Sequence, residues 1–80
     1  MAGHVTKNIT IYELPNCPQC NATKRHFDKL GKTYRVESAI EHADMIRGKG
    51  YTTAPVVVVY KEDGTTESWS GYNVGKIQSV

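Results

Sequence analysis

The chain has 80 residues, of which 39% are hydrophobic, and a formal net charge of +2. This length suits one domain, which we expect to span residues 1–80. The mild charge argues against nucleic-acid or membrane partners, and no apolar run approaches the ~18 residues of a membrane span. The first residues lack the apolar run of a signal peptide, so we expect a cytoplasmic protein, where static disulfides are uncommon.

The first third of the chain predicts a strand followed by a helix. Ile9 and Ile11 alternate with Thr10, which is typical of a strand over Asn8–Glu13. Pro18 suits the first position of a helix, because its missing N–H costs nothing there. An apolar stripe at helical spacing follows and a glycine closes the helix: Thr23, Phe27 and Leu30, then Gly31.

The middle of the chain predicts a second strand and a second helix. Thr33–Glu37 is typical of a short strand with Tyr34 and Val36 on one face. Ser38 followed by Glu41 forms a capping-box pattern, which places the start of the helix at Ser38. The inward face of this helix is expected at Ile40, Ala43 and either Ile46 or Arg47, and the helix is expected to end at Gly48 and Gly50.

The last third of the chain predicts two strands and a short helix. Pro55–Tyr60 is a continuous β-branched run, which is typical of a strand in the middle of a covered sheet. Asp63-Gly64 marks a turn, and Thr66–Trp69 returns as an edge strand. A final helix is expected over Asn73–Val80, with Val74 and Ile77 facing inward.

The element order is therefore β-α-β-α-β-β-α. Its β-α-β start implies two parallel strands joined by a crossover, and the hairpin adds an antiparallel pair. The sequence predicts an α/β fold with a four-stranded mixed sheet and helices on both faces.

Cys17 and Cys20 are the residues that point most directly to chemistry. At the cap of the first helix, the Cys17 sulfur would lie among unpaired backbone N–H groups at the positive end of the helix dipole, which favours the thiolate. The thiolate is the attacking species in disulfide exchange. Cys20 lies one turn deeper on the same face, so we expect Cys17 to attack a substrate disulfide and Cys20 to resolve the mixed disulfide.

Two ordinary alternatives for the cysteine pair are weak. A structural disulfide between residues three apart constrains the unfolded chain little. A structural zinc site needs four ligands, and the spacing of His4, His26 and His42 fits no zinc finger. We expect no metal and no bound cofactor, only a redox-active disulfide, because a Cys-x-x-Cys motif between a strand and a helix is a strong redox signal.

Two further segments are expected near the disulfide. Pro55, preceded by Thr53 and Ala54, is either an ordinary proline at a strand start or a cis proline that turns the Ala54 backbone toward an extended partner. The segment Trp69–Tyr72 holds either core aromatic residues or a partner-binding surface. The basic residues Lys24, Arg25, Lys29 and Lys32 are interpreted as a solvated helix face.

The segments Tyr12–Cys20, Thr53–Val58 and Trp69–Tyr72 resemble the glutaredoxin-like NrdH redoxins. The most specific marks are Cys-Pro-Gln-Cys, Ala-Pro-Val-Val, and Trp-Ser-Gly followed by an aromatic residue. The resemblance implies a thioredoxin fold and a cis proline at Pro55. It also implies a hydrogen donor to a class Ib ribonucleotide reductase that takes its electrons from thioredoxin reductase and NADPH rather than from glutathione.

Individual roles also follow from the resemblance. Cys17 would be the nucleophile, Cys20 the resolving thiol and Pro55 the cis proline. The residues expected to contact partner proteins lie around the disulfide: Pro18, Gln19, Thr53, Ala54, Trp69, Ser70, Gly71 and Tyr72. We expect the protein to be a monomer.

Two alternative functions stay open. A glutathione-dependent glutaredoxin would carry a tyrosine in place of Gln19, a lysine in place of Leu14 and acidic residues near Tyr72-Asn73-Val74, so we expect weak or no glutathione binding. The other alternative is a non-catalytic thioredoxin-fold binding module. The chain also departs from the NrdH pattern, which continues with Arg-Pro-Asp where Asn73-Val74-Gly75 stands here.

Overall fold

The computed structural model of the protein describes residues 8–80. The elements follow the predicted order: β1 (Asn8–Glu13), α1 (Pro18–Lys29), β2 (Arg35–Ser38), α2 (Ala43–Gly48), β3 (Val56–Tyr60), β4 (Thr66–Ser70) and α3 (Val74–Ser79).

The four strands form one mixed sheet in the order β2-β1-β3-β4. β1 runs parallel to β2 and antiparallel to β3, and β3 is antiparallel to β4. The side chains Val56–Val59 are all buried, as expected for a strand covered on both faces. The fold predicted from the sequence is thus confirmed, with the β-branched run at the centre.

The sheet separates two apolar clusters, one on each face. On one face, α1 and α3 contribute Phe27 and Ile77, which pack with Ile11, Val57 and other strand residues. On the opposite face, Ile46 of α2 packs with the strand residues whose side chains point to that face, including Val56 and Val58. Residues alternate between the two faces along each strand, so one continuous run of valines serves both clusters.

The predicted start of the second helix was wrong. The Ser38 hydroxyl does accept a hydrogen bond from the Glu41 N–H, at 3.3 Å. However, the Ala39 N–H donates to the Glu13 carbonyl at 2.8 Å, which continues the pairing with β1. The chain therefore passes through turns before α2 begins at Ala43, and Ile40, expected to face inward, is 65% exposed.

Three other apolar side chains, each on an apolar stripe or strand face predicted from the sequence, are exposed. Leu30 lies at the C-cap of α1, Val36 lies on the edge strand β2, and Val74 begins α3. They are each about two-fifths exposed, at 40%, 42% and 42%. Strand β2 also begins two residues later than predicted, so Tyr34 precedes the strand and packs against the core beside Phe27.

Candidate active site

A tight turn delivers the chain from β1 to the reactive cysteine. Between Glu13 and Cys17, Asn16 adopts φ 53°, in the left-handed region that asparagine tolerates better than most residues. Cys17 then takes the N-cap position of α1, and Pro18 is the first helical residue, as predicted. The sequence signals for a helix start therefore place a cysteine where serine or aspartate normally caps a helix.

The Cys17 sulfur performs the capping function. The backbone N–H of Cys20 donates to Cys17 Sγ at 3.1 Å, and the Asn21 N–H donates to the Cys17 carbonyl at 3.1 Å. A negative charge on this sulfur would be stabilised by the N–H group and by the dipole of α1. The geometry therefore favours the thiolate in the reduced protein.

The two cysteines are bonded to each other, but they differ in access. Their Cα atoms are 5.2 Å apart, within the usual range for a disulfide. Cys17 is half-buried, whereas Cys20 is fully buried at 0% exposure. An incoming sulfur can therefore reach Cys17, while Cys20 is accessible only to Cys17.

Pro55 stands at the same end of the sheet as the disulfide. Tyr12, near the end of β1, pairs with Val56 at the start of β3, so the antiparallel ladder brings Pro55 to the turn that carries Cys17. The Ala54-Pro55 peptide bond is cis, as the family resemblance implies. Within residues 8–80, the backbone N–H and C=O of Ala54 make no hydrogen bond, so they are open to an extended partner.

The segment after β4 is tied to both Pro55 and the cysteine motif. The Gly71 N–H donates to the Pro55 carbonyl at 2.8 Å, and the Tyr72 N–H donates to Gln19 Oε1 at 3.0 Å. Gly71 has φ 82°, and a Cβ added there would lie 3.3 Å from Gln19 Oε1. The backbone angle therefore favours glycine, and a side chain here would also have to displace the glutamine oxygen by a few tenths of an ångström.

The remaining predicted partner-binding residues are brought together with one exception. The Thr53 hydroxyl donates to the Ser70 hydroxyl at 3.2 Å, which joins the segments on either side of the disulfide. Pro18 is exposed beside Cys17. Trp69 is only 5% exposed and lies in the core cluster with Phe27 and Ile77. Its expected place on a partner-binding surface is corrected, because its indole belongs to the core.

Sequence reasoning missed the role of His26. Its Nδ1 lies 2.9 Å from the Tyr72 hydroxyl, and the centroids of the two rings are 5.9 Å apart. The available signal was the spacing, because Gln19, Ala22 and His26 fall on one stripe of α1 that begins inside the cysteine motif. A half-buried ion pair was also missed: Lys24 Nζ lies 2.6 Å from Glu13 Oε1, which links α1 to the end of β1.

A groove borders the site on the α2 face. Its volume is about 350 Å³, and Thr53 and Ala54 form part of its wall. The rest of the lining is mainly apolar, with Leu14, Ala39, Ala43, Ile46, Arg47, Tyr51, Thr52 and Val56. The Ala54 backbone and this groove thus form one continuous surface beside the disulfide.

Within residues 8–80, no three His, Cys, Asp or Glu side chains are grouped in a way that could hold a metal ion. His4, one of the three histidines considered for a zinc site, lies outside the described residues. The expected absence of a metal stays a prediction. None of the helices in this part of the chain has the length and apolarity needed to cross a bilayer.

The chain is similar to proteins of known families. The Glutaredoxin family model matches residues 9–63. The chain is 37% identical over 76 residues to the glutaredoxin-like protein NrdH of Salmonella typhimurium, covering 91% of this chain and 88% of that protein. It is 36% identical over 75 residues to the protein of the same name from Escherichia coli, covering 90% and 86%.

Solved structures agree with these sequence relatives. The E. coli NrdH-redoxin, whose structure was described as a basis for a thioredoxin-like activity profile, superposes with a TM-score of 0.79 at 32% identity and covers 91% of this chain and 93% of that chain. Desulfothioredoxin from Desulfovibrio vulgaris superposes with a TM-score of 0.68 at 20% identity, covering 92% and 77%, and shares the fold. The chain belongs to the glutaredoxin family as an NrdH-like redoxin, a thiol–disulfide oxidoreductase with Cys17 and Cys20 at its active site.

Proposed function

We propose that this redoxin is a dithiol electron donor to a class Ib ribonucleotide reductase and is itself re-reduced by thioredoxin reductase. The observation that carries the proposal is the difference in access between Cys17, which partners can reach, and Cys20, which is fully buried. The thioredoxin-like activity profile named for the E. coli relative supports the proposed re-reduction by thioredoxin reductase.

The exchange proceeds in two steps. In the reduced protein, the Cys17 thiolate attacks one sulfur of the client disulfide, and that S–S bond breaks with release of one client thiolate. Cys20 then loses its proton and attacks Cys17 Sγ, which breaks the mixed disulfide and releases the second client thiolate. Two electrons pass to the client, which takes up two protons, and the redoxin ends with the Cys17–Cys20 bond found in the structure.

The client would bind as an extended segment across the disulfide. The Ala54 backbone N–H and C=O, unpaired within residues 8–80, can form the main-chain hydrogen bonds of such a segment. Pro18 and Tyr72, both exposed, border the same surface from α1 and from the segment after β4. This arrangement holds the client sulfur near Cys17 while Cys20 stays covered.

A glutathione-dependent glutaredoxin is the second candidate, and the site offers little to the tripeptide. Leu14 stands where a lysine would pair with a carboxylate. The Asn73 side chain accepts from the Lys76 N–H at 3.1 Å, so it caps α3 and provides no carboxylate for an ammonium group. Gln19 is engaged with the Tyr72 N–H. We therefore expect glutathione to be a poor reductant of this disulfide.

The decisive experiment compares two sources of electrons. The oxidised protein is supplied with NADPH and thioredoxin reductase, or with glutathione, glutathione reductase and NADPH, while reduction of insulin or of a class Ib ribonucleotide reductase is followed. We expect turnover with thioredoxin reductase and little with glutathione. Turnover with glutathione alone would overturn the proposed reductase. No acceleration of insulin reduction by dithiothreitol would leave only a non-catalytic binding module.

A further inference from the structure

A second groove lies along α1, on the opposite face of the sheet from the apolar groove beside α2. Its volume is about 370 Å³, and it is lined by Ala22, Arg25, His26, Lys29 and Tyr72. We call it the basic groove, because its charged side chains are all cationic. The sequence alone favoured a solvated helix face for these residues, but the structure joins them to the segment beside the active site.

The stripe of α1 that lines the basic groove begins at Gln19, inside the cysteine motif. Gln19, Ala22, His26 and Lys29 follow one another at helical spacing along a single stripe of α1. From Gln19 to Lys29 the helix rises about 15 Å, at roughly 1.5 Å per residue. An extended chain covers that length in about four to five residues, at roughly 3.3 Å each. A client segment that crosses the disulfide can therefore continue into the groove.

The positive charge of the basic groove is not neutralised from within. Across residues 8–80, neither Arg25 nor Lys29 forms an ion pair, and both are exposed. Lys24 differs, because Glu13 already binds it. The nearby carboxylate of Asp28 accepts a hydrogen bond from the Tyr34 hydroxyl at 2.9 Å. Two cations beside the site are thus left without an ion-pair partner among the described residues.

The Tyr72 wall of the groove is fixed in place. Its N–H donates to Gln19 Oε1 at 3.0 Å, and its hydroxyl lies 2.9 Å from His26 Nδ1. Both partners belong to α1, so the ring is attached to the same helix that carries Arg25 and Lys29. A groove with one fixed aromatic wall and two free cations suits an acidic, extended polypeptide better than an apolar one.

We propose that the basic groove binds an acidic segment of the client protein, located about three to five residues from the client cysteine that Cys17 attacks. This inference rests on the proposed function, because it names a feature of the client that the redoxin reduces. The carboxylates of the client pair with Arg25 and Lys29, which raises the encounter rate and selects the orientation in which the client crosses the disulfide.

The test uses two synthetic peptides that each contain an oxidised Cys-x-x-Cys pair. One carries three glutamates at positions three to five from its reactive cysteine, and the other carries three glutamines there. The second-order rate of reduction by the pre-reduced protein is measured at low salt. We expect the glutamate peptide to react about 3- to 10-fold faster than the glutamine peptide, as two exposed ion pairs allow. This preference should disappear in 0.5 M salt, which shortens the range of exposed charges to a few ångströms.

The matched variants distinguish an effect of the basic groove from an effect of the protein's net charge. R25Q/K29Q should lose the preference for the glutamate peptide, whereas K32Q/K49Q, which removes two positive charges elsewhere, should keep it. Equal rates for both peptides with the wild-type protein would overturn the groove proposal and leave the proposed function intact. Equal loss of the preference in both double variants would also overturn it, because net charge alone would then explain the effect. Failure of the wild-type protein to reduce hydroxyethyl disulfide would count against the proposed function itself.

Discussion

The disulfide lies between two segments that present different chemistry. Residues 53–55, the proline flank, present backbone, because the Ala54 N–H and C=O are unpaired within residues 8–80 and the side chain is a methyl group. Residues 70–72, the tyrosine flank, present an aromatic side chain that is 42% exposed and bordered by cations. The two flanks are joined by the hydrogen bonds of Gly71 to Pro55 and of Thr53 to Ser70.

This difference assigns different recognition tasks to the two flanks. Backbone hydrogen bonds are available to any extended polypeptide, so the proline flank accepts clients without regard to their side chains. Charged and aromatic side chains discriminate among clients, so the tyrosine flank is where selection is expected. One disulfide can thus combine a general docking site with a selective one.

The largest expected effect comes from the sulfur that both flanks serve. Cys17→Ser should reduce turnover by about 1,000-fold or more, since the attacking group is lost. Cys20→Ser should instead accumulate a mixed disulfide with the client, because nothing resolves it. Both are measured by non-reducing electrophoresis with an oxidised client. Equal trapping by Cys17→Ser would reverse the two roles and make the comparison of flanks meaningless.

Obstructing the proline flank should have the next largest effect. In Ala54→Glu, a carboxylate would lie in the path of the client, and burying it without a partner costs about 1–3 kcal/mol. We expect kcat/KM for a protein disulfide to fall about 10-fold or more. Ala43→Glu, placed farther along the same apolar groove, is the matched control. If both variants are equally impaired, the client covers the whole groove and the flank extends beyond residues 53–55.

Releasing the tyrosine flank should have a smaller effect. Gln19→Leu removes the acceptor for the Tyr72 N–H, a hydrogen bond worth about 0.5–1.5 kcal/mol. Hydrogen exchange at the Tyr72 amide should accelerate about 2- to 10-fold, and KM for a protein client should rise. The control is Gln78→Leu, which changes an exposed glutamine on α3. Unchanged exchange at Tyr72 in Gln19→Leu would mean that the glutamine does not fix this flank.

The smallest effect concerns the support behind the tyrosine flank. Hydrogen bonds from Lys76 and Lys61 hold the pKa of the Glu67 carboxyl below its usual value, and Lys76 links β4 to α3. The stabilisation is present above the ordinary glutamate pKa and is lost as the pH falls through the lower, folded value. Since both lysines are exposed and Glu67 is only half-buried, Glu67→Gln should lower the free energy of unfolding by less than about 1 kcal/mol at pH 7.

This difference between Glu67→Gln and the wild type should shrink as the solution is acidified toward pH 3, and it should also shrink in high salt. Chemical denaturation at several pH values measures it, with Glu41→Gln as the control for loss of an exposed carboxylate. A difference that grows on acidification would contradict the assigned sign.

The same two flanks show how far sequence reasoning reaches. The strand, the turn and the cysteine-capped helix follow from local signals between Asn8 and Lys29, whereas the cis bond at Ala54-Pro55 follows only from the family resemblance. The contact of Gln19 with Tyr72 joins residues 53 apart, and periodicity carries no information about such pairs. The basic groove also depends on this long-range contact, so its residues looked like an ordinary solvated face.

Local signals also failed where tertiary pairing competed with them. The Ser38 capping pattern predicted a helix from Ser38, and its hydrogen bond to the Glu41 N–H is present. The bond from the Ala39 N–H to Glu13 nevertheless keeps the chain paired with β1, so the helix begins later. Trp69 is a second case. It is next to the tyrosine flank in sequence and was expected to contact partners, but its side chain belongs to the core.

The central claim is that Cys17 reacts as a thiolate because it caps α1. The most direct measurement is thiolate absorbance at 240 nm against pH in the Cys20→Ser variant, which keeps the backbone N–H that donates to Cys17 Sγ. We predict half-ionisation at or below about pH 7.5 in the folded protein, and near pH 8.5 after denaturation in urea. The same midpoint in the folded and denatured protein would contradict the account.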